Sequence, residues 1–413
     1  MLALATLGSR LIVAVVLGVA GNPRWWEYDL IAVNLWSGWG HSYERLGFVY
    51  AAYAPPLWSA ILALLFFLPG DSRASVQIAQ ALLCLGAAVT VGILTRRIGG
   101  DERTSVVAGL LVAFQPSLLY YSVANSDPLP LNACLLGLIV LQGAALIAGP
   151  TRERALGFGL LVGLGVLSRG TPIVALPVVA GGLFLRFRGD ALKPVLQATV
   201  AFFLCVSPWL ARNVAVIGAP LITSTTGENF WRGNHAGASG GGKDLDGGEI
   251  ASLERTNQAL PLAIRAVIAH GTELDRHQVF MAEALKFIRA EPAEAVALFG
   301  RKMRTFWWKI ESDPGDYSPI AARIYEWVYR CELALALLGL GLLFRNRLGP
   351  SAHRIPAVLA VLVMIAISLL QSAFYVQGRH RFLIEPLLLM FASFGVVHVA
   401  GVVADWRLRI RGA

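Results

Sequence analysis

The sequence predicts an all-α polytopic membrane protein with about ten transmembrane helices, interfacial helices in the first outer loop and a small extracytoplasmic region. Three observations carry this. Of 413 residues, 56% are hydrophobic and 15% charged, with a mean hydropathy of +0.61, far from the soluble average of roughly 45–50% apolar and about 25% charged. The apolar residues gather in runs, several near the length of about 20 residues that a spanning helix needs. The basic residues behind the net charge of +9 fall in short clusters between those runs, which is how orientation is set in bilayers. That placement excludes a nucleic-acid site.

The first run, Leu2 to Ala20, contains one charge, Arg10. It lacks a basic leading region and a small-residue cleavage site, so it reads as a retained signal-anchor helix. A central Arg10 costs about 2.5–3.5 kcal/mol on insertion scales, so either it faces the protein interior or the span begins after Leu2. The stretch Gly21 to Trp58 then holds acids, aromatics and helix breakers together. As a helix, Glu27 to Ser37 places Tyr28, Ile31, Ala32 and Leu35 on one face. Trp25, Trp26, Trp36, Trp39 and Trp58 are amphipathic aromatics of the kind enriched at the membrane boundary, which suits an interfacial hairpin. Pro55 and Pro56 end it. The apolar run Leu57 to Leu68 is short for a span and reads as a re-entrant or interfacial helix.

Further runs lie at 76–95, 105–121, 128–148, 155–168, 171–186, 194–211, 330–344, 355–375 and 383–404. The pair 155–168 and 171–186 is short enough to form one broken hairpin. If 57–68 does not cross, fourteen basic residues fall in the short inside loops, from Arg96 and Arg97 through Arg152, Arg186 and Arg345 to Arg411. Only Arg169, Arg379 and Arg381 fall in the short outside loops. This asymmetry places both termini in the cytoplasm and predicts a multi-pass protein of the cell inner (plasma) membrane. Three segments then share the outer face: the opening hairpin, the turn Tyr120 to Asp127, and a polar region from Arg212 to about Tyr329. The expected organisation is an N-terminal transmembrane module, 1–211, with a catalytic first outer loop at 21–75. An extracytoplasmic loop region with an interfacial helix, 212–328, and C-terminal transmembrane helices, 329–413, follow.

Within the polar region GASGGGKDLDGGE (237–249) reads as a flexible loop. Its Gly237, Gly242 and Lys243 nearly spell a phosphate-binding loop, but Asp244 replaces the Ser or Thr that would ligate magnesium and no buried strand precedes it, so nucleotide binding is set aside. Pro292 opens EAVALFGRKMRTFWWK, where Leu298, Phe299, Met303, Phe306 and Trp307 alternate with Arg301, Lys302, Arg304 and Lys309. This is the pattern of a basic amphipathic helix on the outer leaflet. Cys84, Cys134, Cys205 and Cys331 have no spacing suited to a metal cage or a disulfide framework and read as small core residues.

The candidate chemistry lies on the outer face. Glu27 and Asp29, two residues apart, cannot point the same way from a helix, so at most one faces a central cavity; alternatively both are a solvated helix N-terminus favoured by the dipole. Asp127 is either a second acid or an N-cap for the next span. Arg379, His380 and Arg381 gather at headgroup level, as snorkelling anchors or as a grip on an anionic headgroup, for which arginine's planar fork is suited. Arg212, Asn213, Arg232 and Asn234 add polar groups to the same face.

Together these pieces resemble the GT-C superfamily of integral-membrane glycosyltransferases, specifically bacterial relatives of the dolichyl-phosphate-mannose–protein mannosyltransferases and of the lipid A aminoarabinose transferase. The resemblance rests on EYDLIAVNLWSGWGHS (27–42), YAPPLWSAILAL (53–64), LVGLGVLSRGTPIVALP (161–177), PWLARNVAVIGAPLITSTTGENFWRGN (208–234), AEALKFIRAEP (282–292) and GRHRFLIEP (378–386). It implies transfer, with inversion, of a sugar from a polyprenyl-phosphate-linked donor to an extracytoplasmic lipid, glycan or protein acceptor. It implies catalytic acids at Glu27 or Asp29 and at Asp127, with Glu27 favoured, although the commonest acid pair of the superfamily would fall nearer Arg24 and Trp25. Arg379, Arg381, His380 and Arg212 would hold the donor phosphate, and Tyr28, Asn34, Arg232 and Asn234 the substrates. No cofactor is required by the sequence; a divalent metal is possible, since metal dependence varies across the superfamily. The competing class is a polytopic lipid or solute transporter or flippase, which would also carry charges at membrane depth.

Overall fold

A computed structural model describes residues 1–45, 47–68, 72–241, 260–308, 319–345 and 351–411. Each apolar run of the sequence is helical there. The first helix, α1 (Leu2–Val16), is followed by the loop helix α2 (Glu27–Trp36), a two-stranded antiparallel hairpin with Tyr43 opposite Tyr50, and α3 (Pro56–Leu65). Next come α4 (Ser72–Arg97), α5 (Glu102–Ala113), α6 (Pro116–Ala124), α7 (Leu129–Ala148) and α8 (Arg152–Ser168). Then a 3-10 turn, Thr171–Val174, leads into α9 (Ala175–Phe187), and another, Arg188–Ala191, into α10 (Leu192–Ile217). The outer region supplies α11 (Thr226–Arg232), α12 (Leu262–His270), α13 (Glu273–Ala290) and α14 (Pro292–Trp308). The chain closes with α15 (Pro319–Arg345), α16 (Ser351–Ala373), the short α17 (Gly378–Arg381) and α18 (Glu385–Arg411).

Among the described residues six helices are long and apolar enough to cross a membrane, or seven if α5 and α6, bent by 45° where Pro116 opens the second, are one span. The expected ten are therefore not all met by length: α1 is a shorter apolar helix, as is α3, which is not counted among the ten. The 47 residues from Thr171 to Ile217 pass that test as one piece, yet a straight helix of that length would reach roughly 70 Å against a hydrocarbon core of about 30 Å. Arg188, at φ +51°, breaks it. The break lets α9 pack on α7 and α16 while α10 runs along α8.

Small residues make close helix pairs possible. In lipid the helices gain nothing from hiding apolar surface, so association relies on close backbone approach. A Cβ on Gly159 of α8 would stand 2.1 Å from the Ala198 carbonyl oxygen of α10, and one on Gly163, a turn later, would strike Cys205. Cys84 is likewise buried, as expected of a small core residue, whereas Cys331 is exposed. Arg10 faces inward: it is 3% exposed and its Nη1 donates to the Ala113 and Thr6 carbonyls at 2.9 and 3.0 Å.

The α2 face read from the sequence is present. Ile31 and Ala32 are fully buried, and Tyr28 and Leu35 pack beside Trp58 and Leu62 of α3. Three expectations change. Trp58 is a wholly buried core residue rather than a boundary aromatic, because α3 turns its Trp58 and Leu62 face onto α2 and α7. The hairpin adds a small sheet to an otherwise helical chain, with Phe48, Tyr50, Tyr43 and Tyr53 clustered against one another. Lys302, expected on the polar face of α14, is buried at 1% and its Nζ donates to the Gly233 carbonyl (3.0 Å) and Asn234 Oδ1 (2.9 Å). Burial, with Arg301 nearby, lowers that ammonium to about 8. The nucleotide-loop residues Gly242, Lys243 and Asp244 lie outside the described residues.

Candidate active site

A polar cavity of about 590 Å3 opens at one end of the bundle. It is walled by the α2 start, the turns before α3 and α7, the α8–α9 turn, α11 and the segment leading into α17. The short basic loops after α4, α7 and α9 contribute nothing to it, so cavity and these basic loops occupy alternate ends of successive helices.

Local hydrogen bonding brings the two loop acids together. Arg24 and Asn125 pair as a parallel bridge, with the Arg24 amide donating to the Ala124 carbonyl (2.8 Å) and the Ser126 amide to the Arg24 carbonyl (2.9 Å). This clamps the first loop onto the α6–α7 turn. Gln80 of α4 secures the turn from below: its Nε2 donates to the Ser122 and Asn125 carbonyls, both at 2.9 Å, and its Oε1 accepts from the Asp127 amide at 2.8 Å. Asp127 Oδ1 accepts from the Leu129 amide at 2.8 Å. Asp127 therefore lines the cavity and holds the first amide of α7 from one residue outside the helix, while the N-cap position itself is Pro128. Glu27, the first residue of α2, lines the same cavity.

Arg379 enters from α17 with its guanidinium 5.6 Å from the Trp26 ring centre, and Arg169 enters from the α8–α9 turn. Burial pushes the Glu27 carboxyl above its ordinary value, with Arg379 opposing and Asp127 adding to the rise. Burial raises Asp127 too, against Arg379, the Leu129 amide and Arg169. His380 is held well below its ordinary range by burial and by Arg169 and Arg379, so it is a neutral imidazole. Across the cavity, Glu228 of α11 accepts from Arg45 at 2.8 Å and pairs with Arg232 at 3.2 Å.

Of the residues singled out in the sequence, the cavity gathers Glu27, Tyr28, Asp127, Arg232, Arg379 and His380. Five lie outside its lining. Asp29 is fully buried on the far side of α2, where its Oδ2 accepts from the Trp26 amide at 3.0 Å; burial raises it to about 7. Asn34 donates to the Ser42 carbonyl. Arg212 donates to the Ala51 and His41 carbonyls at 2.7 and 3.1 Å and stacks over Trp209. Asn234 is taken up by Lys302 and by the Ala373 and Phe230 carbonyls. Arg381 is buried against Glu385. The cavity adds Arg169, Tyr53, Tyr121, Glu228 and Asn229, which the sequence did not single out. Arg169 had a signal: it is one of three basic residues in the short outside loops.

The fold is similar to that of a solved integral-membrane oligosaccharyltransferase, the kind of likeness that the sequence resemblance implied. Residues 53–211 match the family described as dolichyl-phosphate-mannose-protein mannosyltransferase. No curated protein matches the chain. Among solved structures, the Archaeoglobus fulgidus oligosaccharyltransferase tethered to an acceptor peptide containing the NVT sequon matches at a TM-score of 0.50 and 15% identity, over 98% of this chain and 50% of that one. The same organism's AglB, in complex with an inhibitory peptide and a dolichol-phosphate, matches at 0.48 and 14%, over 94% and 47%. ArnT from Cupriavidus metallidurans, bound to undecaprenyl phosphate, matches at 0.42 and 15%, over 94% and 76%. The chain thus spans about half the length of the oligosaccharyltransferases it matches.

Proposed function

We propose that the chain is a membrane glycosyltransferase that moves a sugar from a polyprenyl-phosphate-linked donor to an extracytoplasmic lipid, glycan or protein acceptor. One observation carries the reading: two loop acids, Glu27 and Asp127, share a cavity with two arginines, Arg379 and Arg169. The family matched over 53–211 is named for a polyprenyl-type phosphate-sugar donor, which fits that charge pattern. The basic loops at the opposite end of the helices support a cavity on the extracytoplasmic face of the plasma membrane.

The chemistry follows from the groups. An acceptor hydroxyl or amine attacks the anomeric carbon while Glu27 takes its proton. The bond from the anomeric carbon to the phosphate oxygen breaks, and the lipid phosphate leaves with the electron pair. Arg379 and Arg169 stabilise the charge that develops on it, a duty to which the guanidinium fork is suited. One displacement inverts the anomeric centre. Tyr28 and Tyr53 offer ring faces to the sugar, and α11 with the segment before it offers Thr223, Thr226 and Asn229 as hydrogen-bonding partners for its hydroxyls.

Among the described residues no group of three or more His, Cys, Asp or Glu side chains gathers. Glu27 and Asp127 nonetheless fit a hard divalent cation of the magnesium kind, which takes one or two carboxylates and completes its shell with substrate oxygens and water. Bound there, it would supply electrophilic stabilisation of the departing phosphate.

The full chain in detergent, supplied with radiolabelled polyprenyl-phosphate sugars and envelope lipid acceptors, is expected to consume donor and release polyprenyl phosphate, and Glu27→Gln to stop it. Donor that crosses reconstituted vesicles unchanged, with no bond cleavage by either form, would instead favour the transporter class.

A further inference from the structure

A second cavity, of about 380 Å3, lies on the other side of the segment that carries Glu27. It is bounded by the end of α1 at Leu17 and Val19, by Arg24 and Trp25, by Arg73 at the start of α4, and by Tyr120 of α6. Trp25 and Trp26 are consecutive on extended backbone, so they face opposite sides: Trp25 lines this pocket and Trp26 lines the reaction cavity.

The pocket is built rather than incidental. Gln77 of α4 fixes its rim, donating to the Val19 and Val123 carbonyls at 2.8 and 2.7 Å and accepting from the Gly21 amide at 2.7 Å. Trp25 is stacked on Phe66, with ring centres 5.7 Å apart, and Arg73 lies over the Trp25 ring at 4.8 Å while donating to Asn22 Oδ1. Arg24 is exposed, and its guanidinium makes no hydrogen bond or ion pair among the described residues. Among the described residues no carboxylate lines the pocket. Beside it α1 presents Leu11, Ile12, Val15 and Val16 outward, each more than 60% exposed, a surface suited to acyl chains.

Two arginine forks, an indole and a phenol at headgroup depth, next to a bare apolar helix face, match a phosphate carried on a lipid. We propose that this pocket binds the phosphate of an anionic membrane lipid in the outer leaflet, with the headgroup between Arg24 and Arg73 and the acyl chains along α1. This does not depend on the glycosyltransferase reading. An occupied pocket would brace the Arg24–Asn125 bridge from behind.

The test is lipid binding by the full chain, read by native mass spectrometry in detergent titrated with phosphatidylglycerol. Near the membrane surface each arginine is worth a factor of about five, so Arg24→Gln or Arg73→Gln should weaken binding about fivefold and the double variant about thirtyfold. Arg103→Gln, at an exposed position on the opposite end of the bundle, should leave it unchanged. Wild-type binding should also fall as salt is raised, a readout that needs no variant. Equal affinity for phosphatidylcholine, unchanged binding by the double variant, or an equal loss in Arg103→Gln would overturn the site. Displacement of phosphatidylglycerol by inorganic phosphate at equal concentration would overturn its assignment to a lipid.

Discussion

Arg381 donates from Nε to Glu385 at 3.2 Å, one turn further along the chain, and both side chains are shut off from solvent at 1% and 0% exposure. The same guanidinium donates to the Phe306 carbonyl at 3.1 Å and lies 3.5 Å from the Tyr329 ring centre. Glu385 in turn accepts from Tyr325, from Gln115 at 2.6 Å and from Ser117 at 2.7 Å. These bonds tie α6, α14 and α15 to the α17–α18 junction. Arg379, two residues before Arg381 on the same short helix, reaches the cavity from that fixed base.

Arg381 is therefore expected to matter for folding before it matters for donor binding. Removing one partner of a buried ion pair costs about 3–5 kcal/mol, so Arg381→Met should lower the thermal midpoint of the detergent-solubilised protein sharply. Arg381→Met with Glu385→Leu should recover part of the loss, because a well-packed apolar pair no longer leaves a buried charge alone. A stable Arg381→Met variant that has lost donor affinity would return this residue to the phosphate site.

Orientation can be checked at two exposed positions. Ser37 follows α2 at the cavity end, and Thr151 caps α8 at the other. In a background without the four cysteines, Ser37→Cys should react with a membrane-impermeant maleimide added outside the cell, and Thr151→Cys only after the membrane is opened. The reverse pattern would invert the proposed topology.

Much of the helical framework was legible because a lipid-facing helix must be apolar over most of its length, and that demand is written in consecutive residues. The α2 face was legible for a related reason: Tyr28, Ile31, Ala32 and Leu35 keep helical spacing. The site was legible in part, since Glu27, Asp127 and Arg379 are costly at a membrane surface and so stand out. What spacing could not decide is which side of a short element faces inward. Asp29 and Arg381 each sit two residues from a cavity residue, and buried partners, the Trp26 amide and Glu385, take them the other way. Arg169 and Glu228 belong to segments whose role appears only when α8 and α11 close on the same space. Lys302 hid in an ordinary basic helix because nothing in its local pattern announces the Gly233 carbonyl.

Arg379 and Arg169 should divide the donor phosphate between them. Arg379→Lys keeps the charge but loses the fork, so donor affinity should fall modestly. Arg379→Ala should cost about tenfold or more, in line with a charge-assisted hydrogen bond of about 1.5–3 kcal/mol. Arg169→Ala should act in the same direction, and Arg212→Ala should not, since its guanidinium is taken up by the Ala51 and His41 carbonyls. Titration of a polyprenyl-phosphate analogue by microcalorimetry decides this, and unchanged affinity in both Arg379 variants would remove that residue from the site.

Glu27 should control the acid side of the pH profile. A general base works only when ionised, so activity is present above its folded-state pKa and is lost as the pH falls through it. Burial raises that pKa above 4.5, so the acid limb should lie above the range of an ordinary glutamate. Neighbours then set the sign of each shift. Arg379 opposes the rise, so Arg379→Gln should move the limb to higher pH, apart from its effect on donor affinity. Asp127 adds to the rise, so Asp127→Asn should move the limb to lower pH. Glu27→Gln keeps the shape and removes the base; turnover should drop by about 100- to 10,000-fold, while membrane insertion and donor affinity persist. Asp29→Asn retains an oxygen for the Trp26 amide and should leave both rate and limb nearly in place. A limb that stays put in both Arg379→Gln and Asp127→Asn, or full turnover by Glu27→Gln, would move the base to another residue of the cavity, with Asp127 the next to be examined.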